Sequence, residues 1–412
     1  MKIISNAILL WYMFVTVLAT VAPVNVSIFS FVPGLILLWL FYMVLFTGWT
    51  LNRTTDTISC SSHTHPFVSI PKPALIMAMV CLVIYSIKYY TGGDINSVIT
   101  SIMAKESLYN NYQIYFEEEN ISQLTLQKIP AILSNVFIKL IILYAFIMNI
   151  IFSKQIRATE LTFLMIICLI YLTFALARGT SFEMFELLVL GVFCLMMRSY
   201  LSQSKVNGKT IVSVIALTLL ALFLYSYNIA ARFNFEDTLT CAAEGYCLDK
   251  NTLLYQISPL LADLVFKLST YFLFGTLYTS HFIQTITASS LMLLAATFLP
   301  FGLQIFEMSD LVSVCGKALD CGAMWVPDLV VLIRYIGLTG SILFLLLVGL
   351  FVKRMLVTIA ASHSFFSIVI LYFLFLFLLS LPVGNFISAS SSNSISFVVA
   401  CVARLFHRLT LK

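Results

Sequence analysis

The chain has 412 residues, of which 61% are apolar and only 10% are charged, and its mean hydropathy is +1.01. Soluble domains carry roughly 25% charged residues, so this composition excludes a soluble enzyme, a disordered chain and a collagen. The net charge of +5 comes from 23 basic residues scattered between apolar runs. Because they form no continuous basic stripe, nucleic acid is excluded as a partner.

Long apolar runs predict repeated membrane crossings, since a bilayer core about 30 Å thick needs roughly 20 apolar residues per helix. Such runs cover residues 4–21, 28–48, 73–90, 131–152, 160–177, 182–197, 211–230, 329–352 and 364–382. Two further helices are expected within 262–305, and a weaker one over 386–404. The predicted fold class is therefore all-α, a polytopic helical bundle with about 12 transmembrane helices. The first run is interpreted as an uncleaved crossing, with a cleavable signal peptide as the alternative.

The positions of Lys and Arg predict the orientation, because cytoplasmic loops accumulate positive charge. With both termini inside, the inner segments hold 13 basic residues and two acids, whereas the rest of the chain holds 10 basic residues and 16 acids. This asymmetry favours a multi-pass membrane protein with its N-terminus and C-terminus in the cytoplasm. Inner loops are short, and the polar residues concentrate on the opposite, outer face.

Two long outer segments are predicted within a single integral-membrane domain over 1–412. The first is a loop over 91–130, and the second covers 231–328 and contains embedded apolar helices. Long loops without structure of their own are uncommon unless they are functional, so chemistry is expected on this face. Both flanks of 262–305 are acidic, which requires an even number of crossings. Two crossings satisfy this requirement, and so do re-entrant or interfacial helices.

Cysteines support the outer assignment of the second segment. Cys241 and Cys247 have the same spacing as Cys315 and Cys321, and both pairs lie where an oxidising compartment permits disulfides. Four cysteines allow three connectivities, of which the two local pairs are preferred, with free thiols as the alternative. No metal site is predicted, because neither loop contains a histidine.

Arg178 lies at the predicted outer end of the crossing over 160–177. Because a charge beside the membrane core is costly, its presence indicates a specific role. Gly179 can take the positive backbone angle of a tight turn, and Thr180 and Glu183 have capping-box spacing for the next helix. One interpretation pairs Arg178 with Glu183 or Glu186. The other places its guanidinium at an outer cavity, where it binds the phosphate of a ligand through a bidentate contact.

Two further cations lie inside predicted crossings. Arg334 is about one and a half turns inside its helix and is followed by Gly337 and Gly340, small residues that allow close packing. Lys139 has a similar position in its own helix. Together with Arg178, these cations predict a site for an anionic headgroup in the outer half of the bundle.

The second outer segment adds weaker candidates. Arg232 lies near the end of a predicted helix and is a candidate substrate ligand. Asp263 and Lys267 have the i,i+4 spacing of a surface ion pair, which is the alternative to a catalytic role for Asp263 and a substrate-binding role for Lys267.

An aromatic and hydroxyl-rich stretch follows, from Tyr271 to His281. Tyr271 and Tyr278 are candidates for stacking against sugar rings, although such residues also suit a membrane interface. His281 is the histidine of the predicted outer segments and is a candidate general base, with a structural role as the alternative. The glycine loops, zinc-protease helices, Gly-x-Ser-x-Gly elbows and Asp-x-Asp pairs that mark nucleotide, metal or hydrolase chemistry are missing from the sequence.

Three passages together resemble a known family of membrane enzymes. The first is the Arg178-Gly179 turn, which opens a helix with Phe182, Phe185 and Glu186. The second is the stretch from Tyr271 to His281, which contains Gly275, and the third is the Gly337-x-x-Gly340 helix that ends in Lys353-Arg354. With this topology, the chain is similar to O-antigen polymerases of the Wzy type.

The resemblance implies glycosyl transfer on the periplasmic face of the bacterial inner membrane, so the two long outer segments would be periplasmic. No cofactor is expected, and the missing motifs favour a metal-independent mechanism. The substrates would be oligosaccharide repeat units on undecaprenyl diphosphate within membrane lipid, and the partners would include a chain-length regulator and a flippase. Arg178 and Arg334 would hold the departing diphosphate, with Lys139 and Arg232 as weaker ligands. His281, Glu183 and Asp263 are candidate bases. Alternative functions are a lipid-linked oligosaccharide flippase and an O-antigen ligase.

Overall fold

A computed structural model describes residues 2–51, 70–93, 96, 98, 100, 126–153, 157–180, 182–202, 241–243, 245–308, 310–315, 319, 326–384, 386–387 and 390–410. The predicted crossing over 211–230, most of the predicted loop over 91–130, Arg232 and Cys321 lie outside these residues.

The described residues are almost entirely helical. In chain order the α-helices are α1 Lys2–Val21, α2 Val32–Leu51, α3 Lys72–Thr91, α4 Ile129–Phe146, α5 Ala158–Ala177, α6 Phe182–Ser202, α7 Leu253–Ile257, α8 Pro259–Phe272, α9 Phe274–Ala288, α10 Leu291–Phe298, α11 Gly302–Ile305, α12 Asp328–Ser362, α13 Phe365–Ser380 and α14 Ser391–Thr410. A π-helical turn, Ile147–Ile151, continues α4, and short 3-10 helices precede α2 and α4. The strands β1 Cys241–Ala243 and β2 Tyr246–Cys247 form one antiparallel hairpin.

Apolar helices of membrane-spanning length make the chain an all-α membrane protein. Within the described residues, seven helices are long and apolar enough to cross a bilayer, namely α1 to α6 and α12. The pair α8 and α9, bent by 50° at its break, raises this number to eight if the pair is one span. Helix α13 is apolar but has only 16 residues, and the apolar part of α14 is limited to Ser391–Phe406. Six predicted crossings thus correspond closely to α1 through α6, while the predicted total of about 12 is not confirmed.

The helices within 262–305 are too short to form two complete membrane crossings. Helix α10 has eight residues and α11 has four, whereas a crossing needs roughly 20. The bent pair of α8 and α9 is therefore the one candidate span of this region, as a broken crossing or a re-entrant loop. The two crossings expected within 262–305 are therefore not confirmed, and the alternative of re-entrant or interfacial helices stays a prediction.

The chain predicted as a single membrane domain divides into two compact units. The first comprises Met1–Cys60, Phe235–Ala361 and Phe373–Ser390, and the second comprises Ser61–Asn234, Ser362–Tyr372 and Ser391–Lys412.

In the first unit, α1 and α2 pack against the helices that follow the hairpin. The indole of Trp11 and the hydroxyl of Tyr12 donate hydrogen bonds to the carbonyls of Leu379 and Leu378, both at 2.9 Å. These donors satisfy carbonyls in the last turn of α13, which have no partner within the helix. The backbone N–H of Gly34 donates to Ser280 Oγ at 2.9 Å, which joins α2 to α9.

The hairpin is fixed by a disulfide and by one buried aromatic residue. Cys241 and Cys247 are bonded, as the spacing predicted. Tyr246 is fully buried between Phe266 and Phe274, and its hydroxyl donates to Ser269 Oγ at 2.9 Å. Cys315 is also in a disulfide, but its pairing with Cys321 stays a prediction.

Helix α12 is interrupted at Gly337, which has φ 70° and ψ 169°. A Cβ at this position would lie 2.2 Å from the carbonyl oxygen of Leu299, so the predicted close approach at Gly337 is confirmed. Gly340 differs, because the atoms nearest to a Cβ there belong to the Ile336 side chain of the same helix, the closest at 3.1 Å. The backbone N–H of Phe301 donates to Tyr335 O at 3.2 Å, which satisfies a carbonyl beside the break.

In the second unit, α3 packs on α4 and α5, and α14 packs on α4. A hydrogen bond of 3.0 Å between Ser86 and Ser134 joins α3 to α4 at a buried position. Arg198, in the last part of α6, donates to the carbonyls of Ile150 and Ser153 at 2.5 and 3.0 Å. These hydrogen bonds satisfy backbone carbonyls at the end of the π-helical turn, and they link the end of α4 to α6.

Candidate functional site

The turn between α5 and α6 positions the charged residues of the second unit. Gly179 has φ 60°, as its place in the sequence predicted. Its N–H donates to Leu176 O at 2.9 Å, and the N–H of Thr180 donates to Ala175 O at 3.1 Å. This pair of bonds is the Schellman motif, which ends a helix with a left-handed residue. The turn therefore holds Arg178 against the start of α6.

Arg178 forms an ion pair with Glu183, one of the partners considered from the sequence. Arg178 Nη2 donates to Glu183 Oε1, and Thr180 Oγ1 donates to Glu183 Oε2 at 2.7 Å. Helix α6 begins at Phe182, so Thr180 bonds the Glu183 side chain directly instead of capping the helix. The Arg178 guanidinium lies over the Phe174 ring at 4.1 Å. Its buried Nε has no hydrogen-bond acceptor among the described residues.

A second charged pair lies beside the first. Lys139 of α4 pairs with Glu186 of α6, and both side chains are at most 5% exposed. Lys139 Nζ donates to Tyr171 Oη at 2.9 Å, and Tyr171 in turn donates to Glu186 Oε2 at 2.8 Å. The hydroxyl of Tyr372 donates to Glu186 Oε1 at 3.1 Å. Glu186 therefore accepts three hydrogen bonds, from side chains of α4, α5 and α13.

We define the cationic-carboxylate cluster as Lys139, Arg178, Glu183 and Glu186. Its two cations balance its two carboxylates, which is how buried charges are accommodated in a low-dielectric environment. Both carboxylates belong to the first two turns of α6, where the positive end of the helix dipole stabilises negative charge. The cluster joins four helices of the second unit through charged and hydroxyl groups.

Replacing Tyr372 with Phe is expected to lower the free energy of unfolding by about 1.5 to 3 kcal/mol, because one buried hydrogen bond to a charged group is lost. Reversible unfolding in detergent micelles measures the change. The control is Tyr85→Phe, whose side chain is exposed on α3 and whose loss of a hydroxyl should change stability by no more than about 0.5 kcal/mol. Equal effects at the two positions would contradict a role for Tyr372 in holding Glu186.

Arg334 belongs to the first unit, in the last turn of α12 before the break at Gly337. Its backbone carbonyl accepts a hydrogen bond of 2.6 Å from Gln304 Nε2. Its side chain interacts electrostatically with Tyr278, which is buried in α9 and hydrogen-bonds to the backbone of Val314. Tyr278 is therefore packed within the protein, and it does not present an open ring face for sugar stacking.

The remaining candidates of the first unit lie on α8 and α9. Asp263 and Lys267 form the predicted i,i+4 pair, with Oδ2 and Nζ 2.7 Å apart. The ring of Tyr271 stacks on Phe386 with centroids 6.1 Å apart. His281 is half-buried on α9, and its backbone carbonyl accepts from Thr285 Oγ1 at 2.9 Å.

Three residues whose hydroxyls donate to buried carboxylates were not predicted from the sequence. Tyr171 and Tyr372 hold Glu186, and Ser380 donates its hydroxyl to the buried carboxylate of Asp328. A tyrosine in the middle of an apolar run is a usable signal, since a buried hydroxyl usually has a partner. The identity of that partner depends on helix packing.

Arg178 and Arg334 fall in different units, so the shared anion site expected for them stays a prediction. The structure brings Lys139, Arg178 and Glu183 together in the second unit. A comparison of the chain with protein-family models, curated proteins and solved structures found no match.

Proposed function

We propose that the protein is a metal-independent glycosyltransferase that polymerises oligosaccharide repeat units linked to undecaprenyl diphosphate, on the periplasmic face of a bacterial inner membrane. Its Wzy-type sequence passages, its apolar helices and its uneven charge distribution support this proposal. The observation that carries the proposal is the buried Arg178 guanidinium at the start of α6, whose Nε has no acceptor in the part of the chain that the structure describes.

The chemistry of the reaction explains why such an arginine is useful. A hydroxyl of the acceptor sugar attacks the anomeric carbon of the donor, and the bond to the diphosphate breaks. The departing diphosphate gains negative charge, which a positioned guanidinium stabilises through charge-assisted hydrogen bonds. The N-terminus of α6 adds the positive end of a helix dipole at the same place. Arg334 belongs to the other unit, so its role as a second diphosphate ligand stays a prediction from the sequence, as do the weaker roles of Lys139 and Arg232.

The proposal is tested by replacing Arg178 or Arg334 with Ala and examining the length distribution of glycan on lipid A core. We expect long chains to fall at least about 100-fold while single repeats persist, because one preorganised donor is lost. The matched control is Arg157→Ala, an exposed arginine at the opposite end of α5, which should leave the ladder unchanged. Persistence of full-length polymer in both site variants would refute the assignment of these arginines.

A lipid-linked oligosaccharide flippase is the second candidate. Two interrupted helices of the first unit favour it, since transporters often build substrate sites at helix breaks. These are the 50° bend between α8 and α9 and the break of α12 at Gly337. Accumulation of lipid-linked units on the cytoplasmic leaflet alone, in a leaflet-specific labelling assay, would select the flippase. Loss of single repeats together with polymer would instead select the ligase.

A further inference from the structure

The guanidinium of Arg178 has an edge with two parallel donors, Nε–H and Nη2–H. This edge matches two oxygens of a carboxylate or a phosphate in a bidentate contact. Glu183 takes only Nη2, through Oε1, because its Oε2 accepts from Thr180. Nε is buried and has no acceptor within the described part of the chain. The anion-binding edge of Arg178 is therefore half occupied by a carboxylate of the protein itself.

Arg178 is held in place, so the half-filled edge is a fixed feature of the turn. The guanidinium lies over the Phe174 ring at 4.1 Å, and the Gly179 turn fixes the backbone beside it. Its side chain is 13% exposed and that of Glu183 is 8% exposed. Among the described residues, an anion that reaches the Arg178 edge has one contact to displace, that between Glu183 Oε1 and Arg178 Nη2.

The two carboxylates of the cluster differ in how firmly they are bound. Glu186 accepts from Lys139, Tyr171 and Tyr372, which belong to three other helices. Among the described residues, Glu183 accepts from Arg178 and Thr180 alone, and both belong to the turn immediately before its own helix. Moving Glu183 therefore breaks contacts within one turn, whereas moving Glu186 breaks contacts among four helices. Glu183 is the carboxylate that can be released.

We infer that Glu183 occupies the diphosphate site of Arg178 in the unloaded protein and that, once displaced, it is the general base of the transfer. This inference rests on the proposed function. The diphosphate of the donor carries two negative charges in place of the single charge of a carboxylate, and it takes both donors of the Arg178 edge. Glu183 then loses its cation and becomes a stronger proton acceptor. Thr180 can keep its hydrogen bond to the released side chain.

The transfer step balances with these groups alone. The acceptor hydroxyl gives its proton to the Glu183 carboxylate as its oxygen forms a bond to the anomeric carbon. The bond between that carbon and the diphosphate oxygen breaks, and its electron pair leaves on the diphosphate, which Arg178 holds. The protonated Glu183 then returns its proton to water, and release of the diphosphate lets Glu183 pair with Arg178 again.

The experiment measures binding of inorganic diphosphate to the purified full chain in nanodiscs, together with turnover of lipid-linked repeat units. Glu183→Gln removes the competing charge, so we expect diphosphate to bind about threefold to tenfold more tightly. Turnover should fall about 100-fold or more, because the base is lost. The matched control is Glu160→Gln at the opposite end of α5, whose carboxylate accepts from the backbone N–H of Arg157 and which should leave both quantities unchanged.

The outcomes separate this inference from the proposed function. If neither wild type nor Glu183→Gln binds diphosphate, the anion site itself is absent and the proposed function loses its support. If wild type binds and Glu183→Gln binds no more tightly, Glu183 does not occupy the site. Unchanged turnover in Glu183→Gln would overturn its role as the base. Should this variant fail to fold, Thr180→Val loosens Glu183 without removing charge and should tighten diphosphate binding by a smaller factor.

Discussion

Replacing Lys139 with Met is expected to lower the free energy of unfolding by about 3 to 5 kcal/mol. The change leaves the Glu186 carboxylate buried without its cation, in a segment predicted to lie within the membrane. The two tyrosine hydroxyls still donate to Glu186, but they carry no compensating charge. Reversible unfolding in detergent micelles, followed by helical circular dichroism, measures the loss.

The double variant Lys139→Met with Glu186→Gln provides the control. A neutral amide removes the uncompensated charge, and replacing both members of a buried ion pair is often close to neutral. We therefore expect the double variant to regain most of the lost stability. Additive losses would show that the pair contributes no coupling energy, and Lys139 would then act through packing alone.

Replacing Gly337 with Ala is expected to lower the free energy of unfolding by about 4 kcal/mol, the sum of backbone strain and a steric clash. The angles φ 70° and ψ 169° belong to a region that glycine alone adopts readily. A Cβ would also lie 2.2 Å from the Leu299 carbonyl oxygen. Relief of this clash requires the segment after α10 to move away from α12, which should be detected as faster proteolysis of that segment.

Gly340→Ala is the matched control, one turn further along α12. Gly340 has helical backbone angles, and the nearest atom to an added Cβ would be Ile336 Cβ of the same helix at 3.1 Å, a much looser contact than at Gly337. Alanine is favoured over glycine within a helix by roughly 0.5 to 1 kcal/mol, so stability should be unchanged or slightly higher. Equal losses at both positions would indicate that Gly337 is not required for the break.

Glu183 and Glu186 illustrate how two acids on one helix acquire different roles from their surroundings. They lie three residues apart at the start of α6, and both pair with a basic residue. Glu186 is held from three other helices, and a fully satisfied polar network of this kind makes a unit rigid. Glu183 is held by its own turn, so its release costs no packing between helices. Glu183 is the acid with the proposed catalytic role, and among the described residues it has fewer hydrogen-bond donors than Glu186.

Local features of the fold could be predicted from the sequence. Apolar runs of sufficient length predicted α1 through α6 to within a few residues, because a helix in lipid must satisfy its backbone internally. Four local features could also be predicted from the sequence. They are the Gly179 turn, the pairing of Arg178 with Glu183, the pair of Asp263 with Lys267 and the disulfide of Cys241 with Cys247. In each case the partners are at most six residues apart, so spacing alone brings them together.

The tertiary structure decided what distant residues do. Tyr372 reaches Glu186 across 186 positions of sequence, and the break at Gly337 lies against Leu299. From the sequence, Lys139 was interpreted as a cation that binds an anionic ligand. In the structure its ammonium group is paired with Glu186. Hydropathy has nearly the same value on every face of α5, α12 and α13, so in these helices it indicates which segments enter lipid but not which faces meet. The choice of partners follows from side-chain shape and hydrogen-bonding groups at packed interfaces, which become defined only when the helices associate.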